Sequence, residues 1–525
     1  MHRLRLLAAT LAAMLAAVPA LAQQAEQPPL SLLPVVATPA LPSNAPPAPA
    51  AGAVTAASPA ARLAPAPPRG KLLSGPSMQK ISLGVFKVRH IEPSMLTDLL
   101  SRASEALREV VGQPRCTITT YSVRYSTIGG RGEATDASAA IVTPTGKDPV
   151  CKGERPILLY AHGTSIARDH NMARLRGEAQ LVAALFAAQG YIVVAPNYAG
   201  YEGSSLPYHP YLNAEQQSAD MVDALRASRV ALSRMKQGFS QQLFIAGYSQ
   251  GGFVALATQR AIQQQYSNEF KVTAAAGLSG PYALAQFSDN VFNGAPNAGI
   301  TVYMPLIATS AQRAGAAIYG TPQELYESQY ASGIESLLPG SMTRSDLFKR
   351  GKLPTRALFA ADSQPQSEGA GAYFANPHLI RSSFRDAYLQ DMANFPCNGD
   401  PGAGCTSHNN LRKWMLKNDL RNYRPQSPLL LCGGAADPAV PFSNATAAAA
   451  YFTSKGAAPT LLDLEAKADD EFAPLRQGFA RVLDEARRSA VDDNKSPEDA
   501  VFERYHSRYA APFCLLAARQ FFNSR

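Results

Sequence analysis

The sequence predicts an α/β fold, with a mostly parallel central sheet covered by helices on both faces and a large, mainly helical insertion. Two observations predict it. Short continuous apolar runs alternate with amphipathic helical segments from residue 157 to residue 279, the pattern of strands buried on both faces. That rhythm stops from about Ala283 to Arg424, where helical patches occur without a series of buried strands, and it resumes at Pro428.

The chain opens with Met1-His2-Arg3-Leu4-Arg5, an apolar run from Leu6 to about Val18, Pro19, and then Ala20-Leu21-Ala22. This is the layout of a secretory signal peptide over residues 1–22, cleaved after about Ala22. Its apolar core is shorter than the roughly 20 residues of a membrane-spanning helix, and no later stretch suffices, so no transmembrane anchor is expected. No Cys follows the run, which argues against a lipid anchor. Residues 23–70 are mostly Ala and Pro, with pairs such as Pro46-Pro47 and Pro67-Pro68, and read as a disordered spacer.

Residues 71–282 and 425–525 carry the expected core, and 283–424 the insertion. Ser94–Val111 has helical periodicity, and Cys116–Thr127 alternates as a strand that returns through Gly129-Gly130 at Ala139–Thr143. The expected strands are then Ile157–Ala161, Tyr191–Ala195, Gln242–Ala246 and Val272–Ser279. Between them lie helices over Ala173–Gln189, Ala214–Met235 and Gln250–Gln265. After the insertion come strand Pro428–Gly433, helix Asn444–Ser454, strand Pro459–Leu464, a helix-favouring stretch over Glu465–Asp492, and a last helix over Ala511–Phe522.

The formal net charge is +9, spread along the chain in short basic clusters that stand near acids, so a nucleic-acid partner is not indicated. Six Cys allow 15 pairings, and an even number in an exported chain favours disulfides. Local logic pairs Cys397 with Cys405 across a Gly-bearing loop, Cys116 with Cys151 across the first hairpin, and Cys432 with Cys514 between a strand and the last helix. Free thiols are the alternative. No Cys has zinc-ligand spacing, and neither metal nor cofactor is expected.

Gly247-Tyr248-Ser249-Gln250-Gly251 follows the apolar strand Leu243–Ala246 and opens a helix. A tight strand–turn–helix of this kind projects a Ser hydroxyl above the sheet at the positive end of a helix, and small neighbours allow the close packing it needs. Ser249 is the candidate nucleophile. A Ser needs a base, expected late in the chain with an acid between the two. Of the eight His, only His506 lies near the C-terminus. Asp437, after Gly433-Gly434-Ala435-Ala436, is the expected acid, with Asp362 and Asp463 as rivals. The oxyanion of an acyl-transfer step needs donors. The backbone N–H groups of Gln250 and of Thr164, in His162-Gly163-Thr164, are the candidates.

Taken with Ala195-Pro196-Asn197-Tyr198-Ala199-Gly200-Tyr201, Gly247–Gly252, Gly433–Pro438 and the tract around His506, these motifs resemble the bacterial secreted lipase/esterases related to the fungal lipase A-type secretory lipases. The resemblance covers about residues 115–282 and 425–525. It implies an α/β-hydrolase core, a lid inserted before the acid-bearing strand, a Ser249–Asp437–His506 triad and hydrolysis of carboxylic esters, with a small-molecule or lipid ester as substrate. The apolar stretch Ile300–Ala317 could cover an acyl pocket or simply pack as a helix. The same residues would support a serine peptidase, including an aminopeptidase, or an acyltransferase. A binding protein on this fold is the non-enzymatic alternative.

Overall fold

The computed structural model describes residues 68–83, 86–101, 112–397, 405–494 and 496–525. The expected leader and most of the expected spacer lie outside the described residues. The spacer's last three residues are held by the fold. Pro68 O accepts from Ser126 Oγ, Arg69 pairs with Asp223 at 2.9 Å, and the N–H of Gly70 bonds Ser126 O.

In chain order the strands are β1 (Leu72–Met78), β2 (Ile81–Leu83), β3 (Phe86–Val88), β4 (His90–Ile91), β5 (Thr117–Ile128), β6 (Ala134–Thr145), β7 (Arg155–Ala161), β8 (Ile192–Pro196), β9 (Phe239–Tyr248), β10 (Ala274–Leu278), β11 (Leu429–Gly433) and β12 (Thr460–Asp463). The main sheet runs β1-β5-β6-β8-β7-β9-β10-β11-β12, with β4 also on β5, and β2 pairs only with β3. From β8 to β12 every pairing is parallel, whereas β1, β4, β5 and β6 form the antiparallel side.

Alternate residues of the central strands enter two different cores. Ile157, Leu159 and Ala161 of β7 face the core shared with helices Ala214–Arg234 and Gln250–Gln265. Leu158 and Tyr160 face the core closed by helices Glu178–Leu185, Ala473–Asp492 and Ala511–Asn523. Both faces are dry, which is why these strands read as unbroken apolar runs.

One helix differs from expectation. The segment 173–189 is broken into a 3₁₀ turn, Met172–Arg174, the helix Glu178–Leu185 and a second 3₁₀ turn, Ala187–Gln189. Leu175 and Gly177 both take positive φ, 47° and 54°, and stop one turn before the helix starts. At residue 93 a helix begins as expected and is described to Ser101; the remainder of its expected length lies outside the described residues.

Residues 283–424 carry helices such as Leu284–Phe292, Ile300–Arg313, Ser382–Asn394 and Asn410–Lys417. Among their described residues only isolated bridges occur, one of which joins Gly340 to Ala167 beside β7. Cys116–Cys151, Cys397–Cys405 and Cys432–Cys514 are disulfide-bonded. No helix of the described residues is long and apolar enough to cross a membrane.

Candidate active site

Three parallel strands end at one place. β9 delivers Ser249, β7 delivers His162-Gly163-Thr164, and β11 leads through Gly434 to Asp437. Ligand sites of open parallel sheets form at such carboxyl ends.

Ser249 sits between β9 and helix Gln250–Gln265 with φ 59° and ψ −122°, a left-handed strained conformation for a residue with a side chain. The turn closes on glycine. A Cβ on Gly251 would stand 1.9 Å from Ala161 O, and one on Gly247 would stand 2.1 Å from Gly251 O.

His506 Nε2 lies 2.8 Å from Ser249 Oγ, and its Nδ1 lies 2.7 Å from Asp437 Oδ2. A carboxylate only accepts, so Nδ1 carries the proton and Nε2 is left to accept from the Ser249 hydroxyl. The other oxygen of Asp437 accepts the N–H groups of Ala439, at 2.9 Å, and Val440, at 3.1 Å. Asp437 is 4% exposed. The relay can therefore take the hydroxyl proton while the buried carboxylate steadies the imidazolium.

His506 lies in a π-helical turn, Tyr505–Ala510, between helices Pro497–Arg504 and Ala511–Asn523. Pro512 gives the physical reason. It has no N–H for the carbonyl four residues back, and its ring crowds that carbonyl, so the backbone widens ahead of it. The carbonyl of His506 accepts from Tyr248 OH at 2.5 Å.

The rivals for the acid stand elsewhere. Asp362 is exposed. Asp463 ends β12 and accepts the N–H of Ala435 at 3.1 Å, which supports the Asp437 loop. Glu465 accepts from Ala436 N at 2.6 Å and from Tyr505 OH at 2.8 Å, tying that loop to the turn that carries His506.

Gln250 follows Ser249 in the chain and Thr164 follows Gly163, whose added Cβ would stand 3.7 Å from Ser249 Cβ, and among the described residues neither backbone N–H has a partner. Thr164 Oγ1 is 2.8 Å from Tyr211 OH. Behind them lies a cluster that no sequence signal announced. His162, His170 and His209 pack among Tyr198, Tyr201 and Tyr211, with His162 4.1 Å from Tyr198 and 4.3 Å from His170. Burial lowers their pKa values, to about 4, about 2 and about 3 respectively. Neutral His209 donates from Nδ1 to Ala199 O at 2.9 Å and accepts at Nε2 from the Gln250 amide at 2.7 Å.

A narrow cavity opens beside Ser249 and Gln250, with a volume of about 50 Å³ for the centre of a water-sized sphere. Leu284 and Val291 line it from one insertion helix, Ile300, Met304 and Ile307 from the next, and no lining residue is charged. The latter helix also buries Val302 and Leu306, so it serves the cavity on one face and the core on another. Among the described residues no group of three or more His, Cys, Asp or Glu is arranged to hold a metal ion.

A family model described as the prolyl oligopeptidase family matches residues 178–286. No curated protein matches the chain. Among solved structures, the rice cell wall degrading esterase LipA from Xanthomonas oryzae is 27% identical over 81% of this chain and 100% of that one, with a TM-score of 0.62. A Legionella pneumophila protein matches at 20% identity over 83% of this chain and 95% of that one, TM-score 0.62. Candida antarctica lipase A in its closed state matches at 13% identity over 87% and 91%, TM-score 0.47. The chain has the α/β-hydrolase fold and is a hydrolase related to esterases of that fold.

Proposed function

We propose that this protein is an exported serine hydrolase that cleaves carboxylic esters through an acyl-enzyme on Ser249. The observation that carries this reading is a hydrogen-bonded Ser249–His506–Asp437 relay at the mouth of an uncharged cavity. Ser249 Oγ attacks the ester carbonyl as its proton passes to His506 Nε2. The N–H groups of Thr164 and Gln250 hold the oxyanion, and each is worth about 10²–10³ in kcat. His506 then protonates the departing alcohol, and water, deprotonated by His506, releases the acid.

The cavity sets the acyl group. It is narrow and lined mainly by apolar side chains, which favours a short acyl chain. The insertion acts as a cap, because its helices supply most of the cavity wall. Export rests on the leader-like N-terminus and on three disulfides, which persist in oxidising compartments.

The test is a panel of p-nitrophenyl esters from acetate to palmitate, a long-chain triglyceride and a prolyl p-nitroanilide, with Ser249→Ala as blank. Butyrate or hexanoate should lead, and Ser249→Ala should lose on the order of 10⁶ in kcat. Turnover by the Ala variant near the wild-type level would remove Ser249 from the reaction.

The match to the prolyl oligopeptidase family model favours one second reading, a peptidase acting at proline. An aminopeptidase would need a carboxylate to receive the substrate amine, and no charged side chain lines the cavity. Turnover of the prolyl anilide above the best ester would reverse the order of the two readings. An acyltransferase would show as product transfer to an added alcohol in preference to water.

A further inference from the structure

We infer that Glu178 is a positioning residue for the proposed oxyanion site, holding the His162–Gly163 peptide so that the Thr164 N–H of the next peptide stays in place for the reaction. The inference rests on the ester-hydrolase reading and extends it to a residue outside the triad.

Glu178 opens the helix Glu178–Leu185, where a carboxylate is favoured by the helix dipole. Its carboxylate accepts the N–H of Gly163 with both oxygens, at 3.0 and 3.1 Å. Tyr160 OH, from the strand that feeds this loop, fixes the same carboxylate at 2.6 Å. Gly163 in turn packs on the nucleophile turn. A Cβ placed on it would stand 3.7 Å from Ser249 Cβ and 3.4 Å from Tyr248 O.

The consequence follows from the donor inventory. The Gly163 N–H is consumed by Glu178, so it cannot serve an oxyanion. The next N–H along the chain, that of Thr164, has no partner among the described residues. The loop is held on its other side by Thr164 Oγ1 with Tyr211 OH at 2.8 Å. Two anchors, an acidic one on the preceding peptide and a phenolic one on the Thr164 side chain, thus flank the peptide whose orientation the reaction needs. A misplacement of about 1 Å in such a group can cost about 10²-fold.

Burial pushes the Glu178 carboxyl above its ordinary pKa, while the donors from Tyr160 and Gly163 and a charged His506 favour the carboxylate. Position and charge are separable by substitution. Glu178→Asp keeps the charge but draws the carboxylate back from Gly163. Glu178→Gln keeps an oxygen in place for Gly163 and drops the charge.

The experiment measures kcat and KM on p-nitrophenyl butyrate, the rate of Ser249 labelling by a fluorophosphonate, and thermal midpoints. It compares wild type, Glu178→Gln, Glu178→Asp and Glu178→Ala. The expected result is a loss of about 10²-fold in kcat and in labelling rate for Asp and Ala, with KM changed less than about threefold, and recovery to within about tenfold of wild type in Gln. Should Ala fail to fold, the Asp and Gln pair decides alone. Asp at wild-type kcat, losses in KM only, or Asp and Gln losses that merely track their thermal midpoints would each overturn the positioning role. A wild-type protein inert to both ester and probe would overturn the parent reading, and this one with it. An active wild type with unaffected variants would overturn this one alone.

Discussion

Acid should destabilise this protein well above the pH at which carboxylates ordinarily protonate. The cause is the buried histidine cluster behind Ser249. His162, His170 and His209 are held neutral in the fold, with pKa values near 4, 2 and 3, against an ordinary 6.5 when unfolded. Below pH 6.5 the unfolded chain therefore binds protons that the folded chain refuses, and stability falls as pH falls. Asp220 acts in the opposite sense. It is fully buried, accepts from Tyr125 OH and from Ala199 N, and burial raises its pKa from 3.8 to about 7. Folded protein keeps that proton where unfolded protein has lost it, so Asp220 adds stability as pH falls from 7.

From pH 7 to pH 5 each histidine costs about 2 kcal/mol, about 6 for the three, and Asp220 returns about 2. The net loss is about 3–4 kcal/mol, a large share of the roughly 5–15 kcal/mol typical of a folded protein. Glu178 and Asp223, whose carboxyls burial also raises, act in the same sense as Asp220 and offset part of the loss. Urea denaturation at pH 7, 6 and 5 at constant salt reads the effect as a falling midpoint with unchanged slope. His170 Nε2 has no partner, so His170→Phe removes one titration with little else and should reduce the loss by about 2 kcal/mol. A midpoint that holds or rises between pH 7 and 5 would refute the reasoning.

Three further outcomes follow from the same structure. Gly251→Ala should cost about 3 kcal/mol or more by chemical denaturation and abolish ester turnover, since the new methyl would stand 1.9 Å from Ala161 O. Met304→Trp, which fills the cavity from its insertion helix, should keep acetate turnover while lowering kcat/KM on hexanoate at least about tenfold. The Cys432–Cys514 bond closes a separation of 82 residues, so replacing both with Ala should cost up to about 4–5 kcal/mol, read as a shift in urea midpoint.

Where a strand is buried on both faces, its apolar run alone locates it. β7 to β11 are such strands, and each lies within a few residues of its expected span. β1 gave no such signal. Leu72–Met78 contains Gly75-Pro76, lacks β-branched residues and pairs through an irregular register, so only its partner β5 makes it a strand. The same reason hides the break at Leu175–Gly177. Helical periodicity records which residues meet a core, and Met172, Ala173 and Val182 meet one whether or not the backbone between them stays helical. Gly177 was the available sign.

The candidate site divides along a similar line. Ser249, Asp437 and His506 could be named as candidates because each occupies a fixed place in chain order relative to strands that are themselves legible. The residues that hold them could not, because their roles exist only in contact. Glu465 touches Ala436 and Tyr505, neither of which has a motif of its own. Gly434 makes the point at one atom. It looked like part of a glycine loop serving Asp437, but an added Cβ would strike Tyr505 OH at 2.0 Å. That glycine therefore lets the acid's loop and the base's turn pack against each other. Pro512 acts on the same pair from a distance, by opening the turn that carries His506. The triad's geometry is thus set by small and proline residues around it, and substitutions at Gly434 or Pro512 should move His506 against Asp437 without touching either one.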